Sequence, residues 1–350
     1  MILLRTIILC ALALSLPATA HAQMGEGAPH VTATSYTVQS EVLGGERIVT
    51  VRLPAGYEEQ PDMRFPVIYL LDGGPEQDFD HIAGIVQSRD MNWSFERFIL
   101  VGVQSTNRRH FFAPPAADPQ PYVEALGAEP GGSPTYRRFL REELMPMVNA
   151  QFRTDGHDAV IGESLAALFI VETLLEDPTL FDDYMAISPS MWWEQMKYGR
   201  EAARMLAAHP NDGMQRRLYL TVANEGVWHR EGTERLVDAL RAGAPANLLW
   251  TFVPVEDSET HGSIFHPMAL DAFRTLYGTA EREFPARPLI GGTFDRELTA
   301  EEEVLVEQEC TREESLRTTP GAVEQGRERL QFKCVLLDLG PTPREGNLGD

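Results

Sequence analysis

Cysteine is scarce in this chain. There are three in 350 residues, Cys10, Cys310 and Cys334. None has the His and Cys company of a zinc site, so no metal is expected. Positive charge is also short: 30 Lys and Arg stand against 52 Asp and Glu, a formal net charge of −22. A chain this acidic has no electrostatic reason to seek nucleic acid or an anionic lipid surface. The apolar run Ile7–Leu16 ends at Pro17 and is too short to span a bilayer comfortably, so no membrane-spanning segment is expected. Internal repeats and low-complexity tracts are lacking as well, so a solenoid is not expected.

What is present at the start reads as a secretory signal over residues 1–22. Arg5 supplies a positive charge, the apolar run follows, and Ala20-His21-Ala22 fits a small-x-small cleavage site. The expectation is therefore a periplasmic or secreted protein. Residues 23–30 are small and polar and read as a linker. Residues 31–280 hold a regular alternation of strands and helices, and residues 281–350 form a charged C-terminal extension.

Val31–Val38 and Arg47–Leu53, joined through Gly44-Gly45, read as an antiparallel pair. Apolar strands are then predicted at Phe65–Leu71, Phe98–Val103, Asp158–Ile161, Tyr184–Ile187, Leu218–Ala223 and Leu248–Val253. Helical spacing marks Tyr136–Gln151, Leu165–Leu175, Gln195–Ala208, Thr233–Ala242 and Met268–Leu276. Near-continuous apolar strands alternating with helices predict an α/β fold, with a mostly parallel sheet covered on both faces. In the extension, Thr299-Ala300-Glu301-Glu302 is a capping box for a helix to about Gln308, and Arg329–Leu337 reads as a strand.

The most informative stretch is Val160-Ile161-Gly162-Glu163-Ser164-Leu165-Ala166-Ala167. A β-branched run ends in Gly-x-Ser-x-Ala and passes directly into a helical pattern. Strand, sharp turn and helix with a serine at the apex make the nucleophile elbow of an α/β-hydrolase. In that fold the triad order is nucleophile, acid, histidine. His261, after the last strongly apolar strand, is the expected general base; His266 is the runner-up and reads better as a helix-end residue. The acid should follow the strand Leu218–Ala223, which points to Glu225, with Asp257, Glu256, Glu259 and Glu231 as alternatives.

The oxyanion hole needs two backbone N–H groups. Leu165, after the nucleophile, supplies one, and Gly74 in Asp72-Gly73-Gly74-Pro75 is the candidate for the other. Trp192 and Trp193 could wall a substrate pocket or pack in the core. Arg108 and Arg109 could hold an anionic substrate or lie in solvent.

Taken together these residues resemble an exported esterase family of α/β-hydrolases, the group of siderophore (enterochelin and salmochelin) esterases and esterase D-like enzymes. The likeness runs from about Val31 to Tyr277. It is carried by Leu70-Leu71-Asp72-Gly73, Val101-Gly102-Val103, Asn107-Arg108-Arg109, Phe139 to Pro146, Gly162-x-Ser164, Ile187-Ser188-Pro189-Ser190-x-Trp192-Trp193 and Glu259-Thr260-His261. The resemblance implies a serine esterase without metal or organic cofactor, acting on a small-molecule, siderophore-like ester. It puts Ser164 and His261 in the roles of nucleophile and base, and Gly74 and Leu165 in the oxyanion hole. Three positions depart from the family pattern. Glu163 stands where a His is frequent, Ala166-Ala167 where Gly-Gly is frequent, and His110-Phe111-Phe112 where an Asp tends to follow the arginines. Two other readings share the scaffold: acyl transfer to another alcohol, and a non-catalytic binding protein.

The extension generates a prediction of its own. Once the signal is removed, Cys310 and Cys334 are the two cysteines left, and in an exported chain they should pair. Closing a loop of about 25 residues should contribute roughly 3 kcal/mol through the unfolded chain. Mass spectrometry of unreduced, alkylated mature protein should find no labelled thiol; two labels per chain would refute the pairing.

Overall fold

The computed structural model describes residues 27–92, 95–278 and 345–348. The signal, both tail cysteines, the capping box and the strand expected at Arg329–Leu337 lie outside the described residues. Residues 27–32 belong to a separate unit, Met1–Thr32, and carry no helix or strand there; every element below belongs to the unit Ala33–Asp350.

The sheet is built on six parallel strands: β3 (Phe65–Leu71), β4 (Ile99–Val103), β5 (Thr154–Glu163), β6 (Asp183–Ile187), β7 (Arg216–Val222) and β8 (Leu248–Pro254). The expected antiparallel pair is present at one edge as β1 (Thr34–Ser40) and β2 (Gly45–Arg52), turning at Gly44 and Gly45, both at positive φ. A two-residue strand, β9 (Glu345–Gly346), runs antiparallel to β8 at the other edge. The order is β1-β2-β4-β3-β5-β6-β7-β8-β9. In register, Tyr69 faces Val101 on one side and Val160 on the other, and Glu163 faces Ile187.

Residues alternate across the sheet. Val67, Tyr69 and Leu71 enter one apolar cluster; Ile68 and Leu70 enter the other. The first cluster is closed by α6 (Leu165–Glu176) and by residues of α9 (Val227–Gly243), the second by α1 (Phe79–Asn92) and α10 (Phe265–Tyr277). Both faces are covered, as near-continuous apolar strands require. Helix α1 was not expected from the sequence, although Phe79, Ile82, Ala83 and Val86 bury one face of it.

Three short helices, α2 (Arg108–Phe111), α3 (Gln120–Leu126) and α4 (Ser133–Phe139), follow β4. The helix expected at Tyr136–Gln151 is longer and is not uniform. Helix α4 passes through a π turn at Leu140–Leu144 into α5 (Met145–Gln151). Pro146 explains the widening, since it has no N–H for the carbonyl four residues back.

The helix expected at Gln195–Ala208 is broken into α7 (Trp193–Arg200) and α8 (Ala202–Ala207). Glu194, Gln195 and Met196 are left-handed, at φ 48°, 53° and 64°. That conformation costs about 1–2 kcal/mol for each non-glycine residue. Hydrogen bonds from Glu194 N–H to the Tyr122 hydroxyl (3.0 Å) and from Arg200 to the Glu194 carbonyl (3.1 Å) hold it.

Asp183, fully buried at the start of β6, ties three elements together. Its carboxylate accepts from Arg217 (2.6 and 2.5 Å), from the Tyr277 hydroxyl (2.6 Å) and pairs with His157 Nε2 (2.6 Å). Burial pushes this carboxyl up, but the hydrogen bonds from His157 and Arg217 prevail and hold it below the usual range. The same hydrogen bond raises His157. The contribution of Asp183 is complete above about pH 4, the ordinary carboxylate value, and is lost as pH falls through its depressed native value. That of His157 is complete below about pH 6.5 and is lost as pH rises through its raised native value. Stability from this network should therefore be greatest between those limits. Asp183→Asn should cost about 3–5 kcal/mol, because Arg217 loses its buried partner. Urea unfolding of both proteins at pH 5.5 and pH 8 checks this; a variant as stable as wild type at pH 5.5 would contradict it.

Candidate active site

The site is assembled from the loops at the carboxyl ends of β5, β6, β7 and β8. Ser164 sits between β5 and α6 at φ 61°, ψ −115°, outside the regions comfortable for L-residues. The turn is tight because strand and helix approach closely: a Cβ on Gly162 would lie 2.8 Å from the Ala166 Cβ. Neighbouring backbone fixes it. Ser164 N–H donates to the Ile187 carbonyl (3.0 Å), and the Ser164 carbonyl accepts from Ser190 N–H (3.0 Å) and Leu168 N–H (2.9 Å). The Ser164 hydroxyl is 3.4 Å from that of Ser190.

The next loops are joined in the same manner. Ser188, at φ 46°, accepts from Ala223 N–H (3.1 Å) and donates through its hydroxyl to Glu225 Oε1. Asn224 N–H donates to the Glu259 carbonyl (2.8 Å), and Asn224 forms an isolated parallel bridge with Thr260. Glu225 and His261 each follow that bridge by one residue. His261 Nδ1 lies 2.9 Å from Glu225 Oε1. Of the five carboxylates named from the sequence, Glu225 is the one on His261. Glu256 pairs with Arg230 (3.0 Å), Glu231 with Arg235 (2.5 Å), and Glu259 accepts from Ser263 (2.6 Å). His266, at the start of α10, has its ring 5.1 Å from that of His81 in a tilted arrangement.

Sequence reasoning missed His229. It stands one turn after Glu225, in the first turn of α9, with Nδ1 2.5 Å from Glu225 Oε2. The spacing of four residues across the start of α9 was the available signal.

Charge at the site follows from burial and these partners. Burial alone would raise Glu225, yet donation from His229, His261 and Ser188 brings it down to about 2. The Glu225 hydrogen bond raises His261, with Glu163 adding to the effect. Glu163 is pushed up to about 7, first by burial, then by Asp78 and Glu225, against the pull of His261 and Arg108. Burial and Asp72 likewise raise Asp78.

The remaining predicted residues divide. Leu165 opens α6, whose first-turn amides lack intrahelical acceptors. The Gly74 amide is already engaged: it donates to Gln77 Oε1 (3.0 Å), which also accepts from Ser105 N–H (3.0 Å). Arg108 pairs with buried Asp72 at 2.8 Å and faces the site electrostatically. Arg109 does not; it donates to the Leu126 carbonyl (2.6 Å) at the end of α3. Of its two readings Trp193 takes the core: it is fully buried, with its ring 4.1 Å from Tyr122. Trp192 is half-buried and lies 6.2 Å from the His229 ring. Among the described residues no group of three or more His, Cys, Asp or Glu is arranged to hold a metal ion, and no helix is long and apolar enough to cross a membrane.

Comparison with known proteins addresses the same region. The chain is 29% identical over 150 residues to the ferri-bacillibactin esterase BesA of Bacillus subtilis, covering 39% of this chain and 51% of that protein. It is 32% identical over 111 residues to the siderophore enterobactin esterase of Emericella nidulans, covering 29% of this chain and 35% of that protein. It thus spans about half of the first relative and a third of the second. Among solved structures, an IroE-like serine hydrolase from Shewanella oneidensis superposes with a TM-score of 0.62 at 24% identity, over 87% of this chain and 99% of the other. The BES protein of Bacillus cereus gives 0.62 at 23% identity, over 72% and 98%. These likenesses establish the α/β-hydrolase fold. The family described as "Putative esterase" matches residues 40–263, which span the elbow, the Glu225 loop and His261, and the chain belongs to that family.

Proposed function

We propose that this protein is an exported serine esterase that hydrolyses a small-molecule carboxylic ester, siderophore-like in class, through an acyl-enzyme. The observation that carries the reading is the His261–Glu225 pair, tied through Ser188 and Ser190 to the elbow that presents Ser164. Family membership and the printed names of the two relatives support the ester class. The composition of residues 1–22 supports export.

The Ser164 hydroxyl attacks the ester carbonyl carbon, and His261 Nε2 takes its proton. Glu225 on Nδ1 fixes the ring's orientation and balances the imidazolium charge. The oxyanion of the tetrahedral intermediate accepts a hydrogen bond from Leu165 N–H. Gly74 N–H would join it only with Gln77 displaced. The intermediate collapses, the C–O bond to the alcohol breaks, and the alcohol leaves with the proton from His261. Water then repeats the sequence on the acyl-enzyme and releases the acid and free Ser164.

Ser164→Ala and His261→Ala should each lower turnover of an aryl ester by on the order of 10⁶, as members of one unit. Glu225→Ala should cost roughly 10–10⁴-fold. Steady-state kinetics, with labelling of Ser164 by a fluorophosphonate, checks this. Wild-type rates in Ser164→Ala would move the nucleophile elsewhere.

A second measurement concerns Glu163. The base must be neutral, so activity rises with pH through the His261 pKa. The Glu163 charge holds that value up. Glu163→Gln should therefore move the acid limb of kcat/KM to lower pH. An upward shift would contradict the proposed electrostatic coupling.

A further inference from the structure

Glu225 is gripped on both oxygens. Oε1 accepts from the Ser188 hydroxyl and pairs with His261 Nδ1; Oε2 faces His229 Nδ1 at 2.5 Å. Both Glu225 Oε2 and His229 Nδ1 are buried, and apart from this close approach to each other neither meets a hydrogen-bonding atom. Each would be orphaned without the other, which costs about 1–3 kcal/mol for a neutral group and more for a charged one. The carboxylate is 5% exposed and lies just ahead of the N-terminus of α9, whose dipole favours an anion there.

The Ser188 hydroxyl has a fixed direction. It accepts the Ala223 N–H, so its own proton points to Glu225. That leaves Oε2 as the oxygen whose position is not set by β6. Rotation of the carboxyl about its last bond would swing Oε1 away from His261. His229 opposes that rotation, and its ring is in turn held 6.2 Å from Trp192 and 6.0 Å from His261.

We infer that His229 is a positioning residue: it donates Nδ1–H to Glu225 Oε2 and thereby fixes the carboxylate that orients His261. This inference rests on the esterase reading, because the group it positions acts through His261. It also makes a tautomer claim. Free imidazole favours the proton on Nε2, whereas donation to Glu225 requires it on Nδ1.

Two measurements test it together. The first is the ¹⁵N spectrum of histidine-labelled wild-type protein, with His229 assigned by loss of its signals in His229→Asn. His229 should be in the Nδ1–H form; the Nε2–H form overturns the inference. This needs no turnover and no folded apolar variant. The second is kinetics on 4-nitrophenyl acetate. His229→Leu should lower kcat about 10–100-fold, the scale for losing an outer orienting partner. KM should stay within about twofold, because the lost interaction is not with substrate. His229→Asn, whose amide can donate from near the Nδ1 position, should recover most of the loss. Unchanged kcat in His229→Leu, a loss confined to KM, or no recovery in His229→Asn each overturns it. A wild type that neither hydrolyses esters nor labels at Ser164 instead removes the underlying reading, and the tautomer still reports on His229.

Discussion

The site depends on the left-handed turn at Ser164. A serine at φ 61° is strained, and the strain persists only because the surroundings over-determine it. Gly162 and Ala166 bring β5 against α6, and backbone bonds to Ile187, Ser190 and Leu168 leave the turn no other conformation. Two further non-glycine residues take positive φ at the same sheet edge: Asp72 after β3 and Ser188 after β6. Each ends a buried parallel strand and makes a polar contact there, Asp72 with Arg108 and Ser188 with Glu225. The sheet supplies rigid strand ends, and at this edge the strain falls on the residues that leave it.

The loops are joined laterally in the order of the strands. Ser164 is bonded to the Ile187–Ser190 loop, that loop to Ala223 and Glu225, and Asn224 to Glu259 beside His261. Each link is a backbone amide or a short side chain, so few rotatable bonds lie between elbow and histidine. This suits a site whose geometry must be set before substrate arrives. It also explains how the loops that carry residues 164, 225 and 261, far apart in sequence, are joined without a long arm.

Electrostatics separates three neighbouring carboxylates by environment. Glu225 has donors on both oxygens and stays ionised; Glu163, at the end of β5, is pushed up mainly by burial; Asp78 is raised by burial and by Asp72. Glu163 immediately precedes Ser164 at the end of β5. A carboxylate in that place makes the field at His261 more negative, whereas a histidine would leave it neutral or make it positive.

The strands and the elbow were legible because each is a local pattern: β-branched runs for buried strands, and Gly-x-Ser-x-Ala between strand and helix. Triad order then led to Glu225 and His261 without any contact information. What failed to read was set by distant partners. The left-handed run at Glu194–Met196 depends on Tyr122, about 70 residues earlier, and Trp193 is in the core because the same tyrosine covers it. Arg109 is drawn off by the Leu126 carbonyl, and the Gly74 amide is occupied by Gln77, whose side chain bridges to Ser105. His229 was readable in principle, one turn from Glu225. An isolated histidine near a carboxylate at the start of a helix has too many ordinary explanations to stand out. What sets it apart is that both facing atoms are buried and lie 2.5 Å from each other.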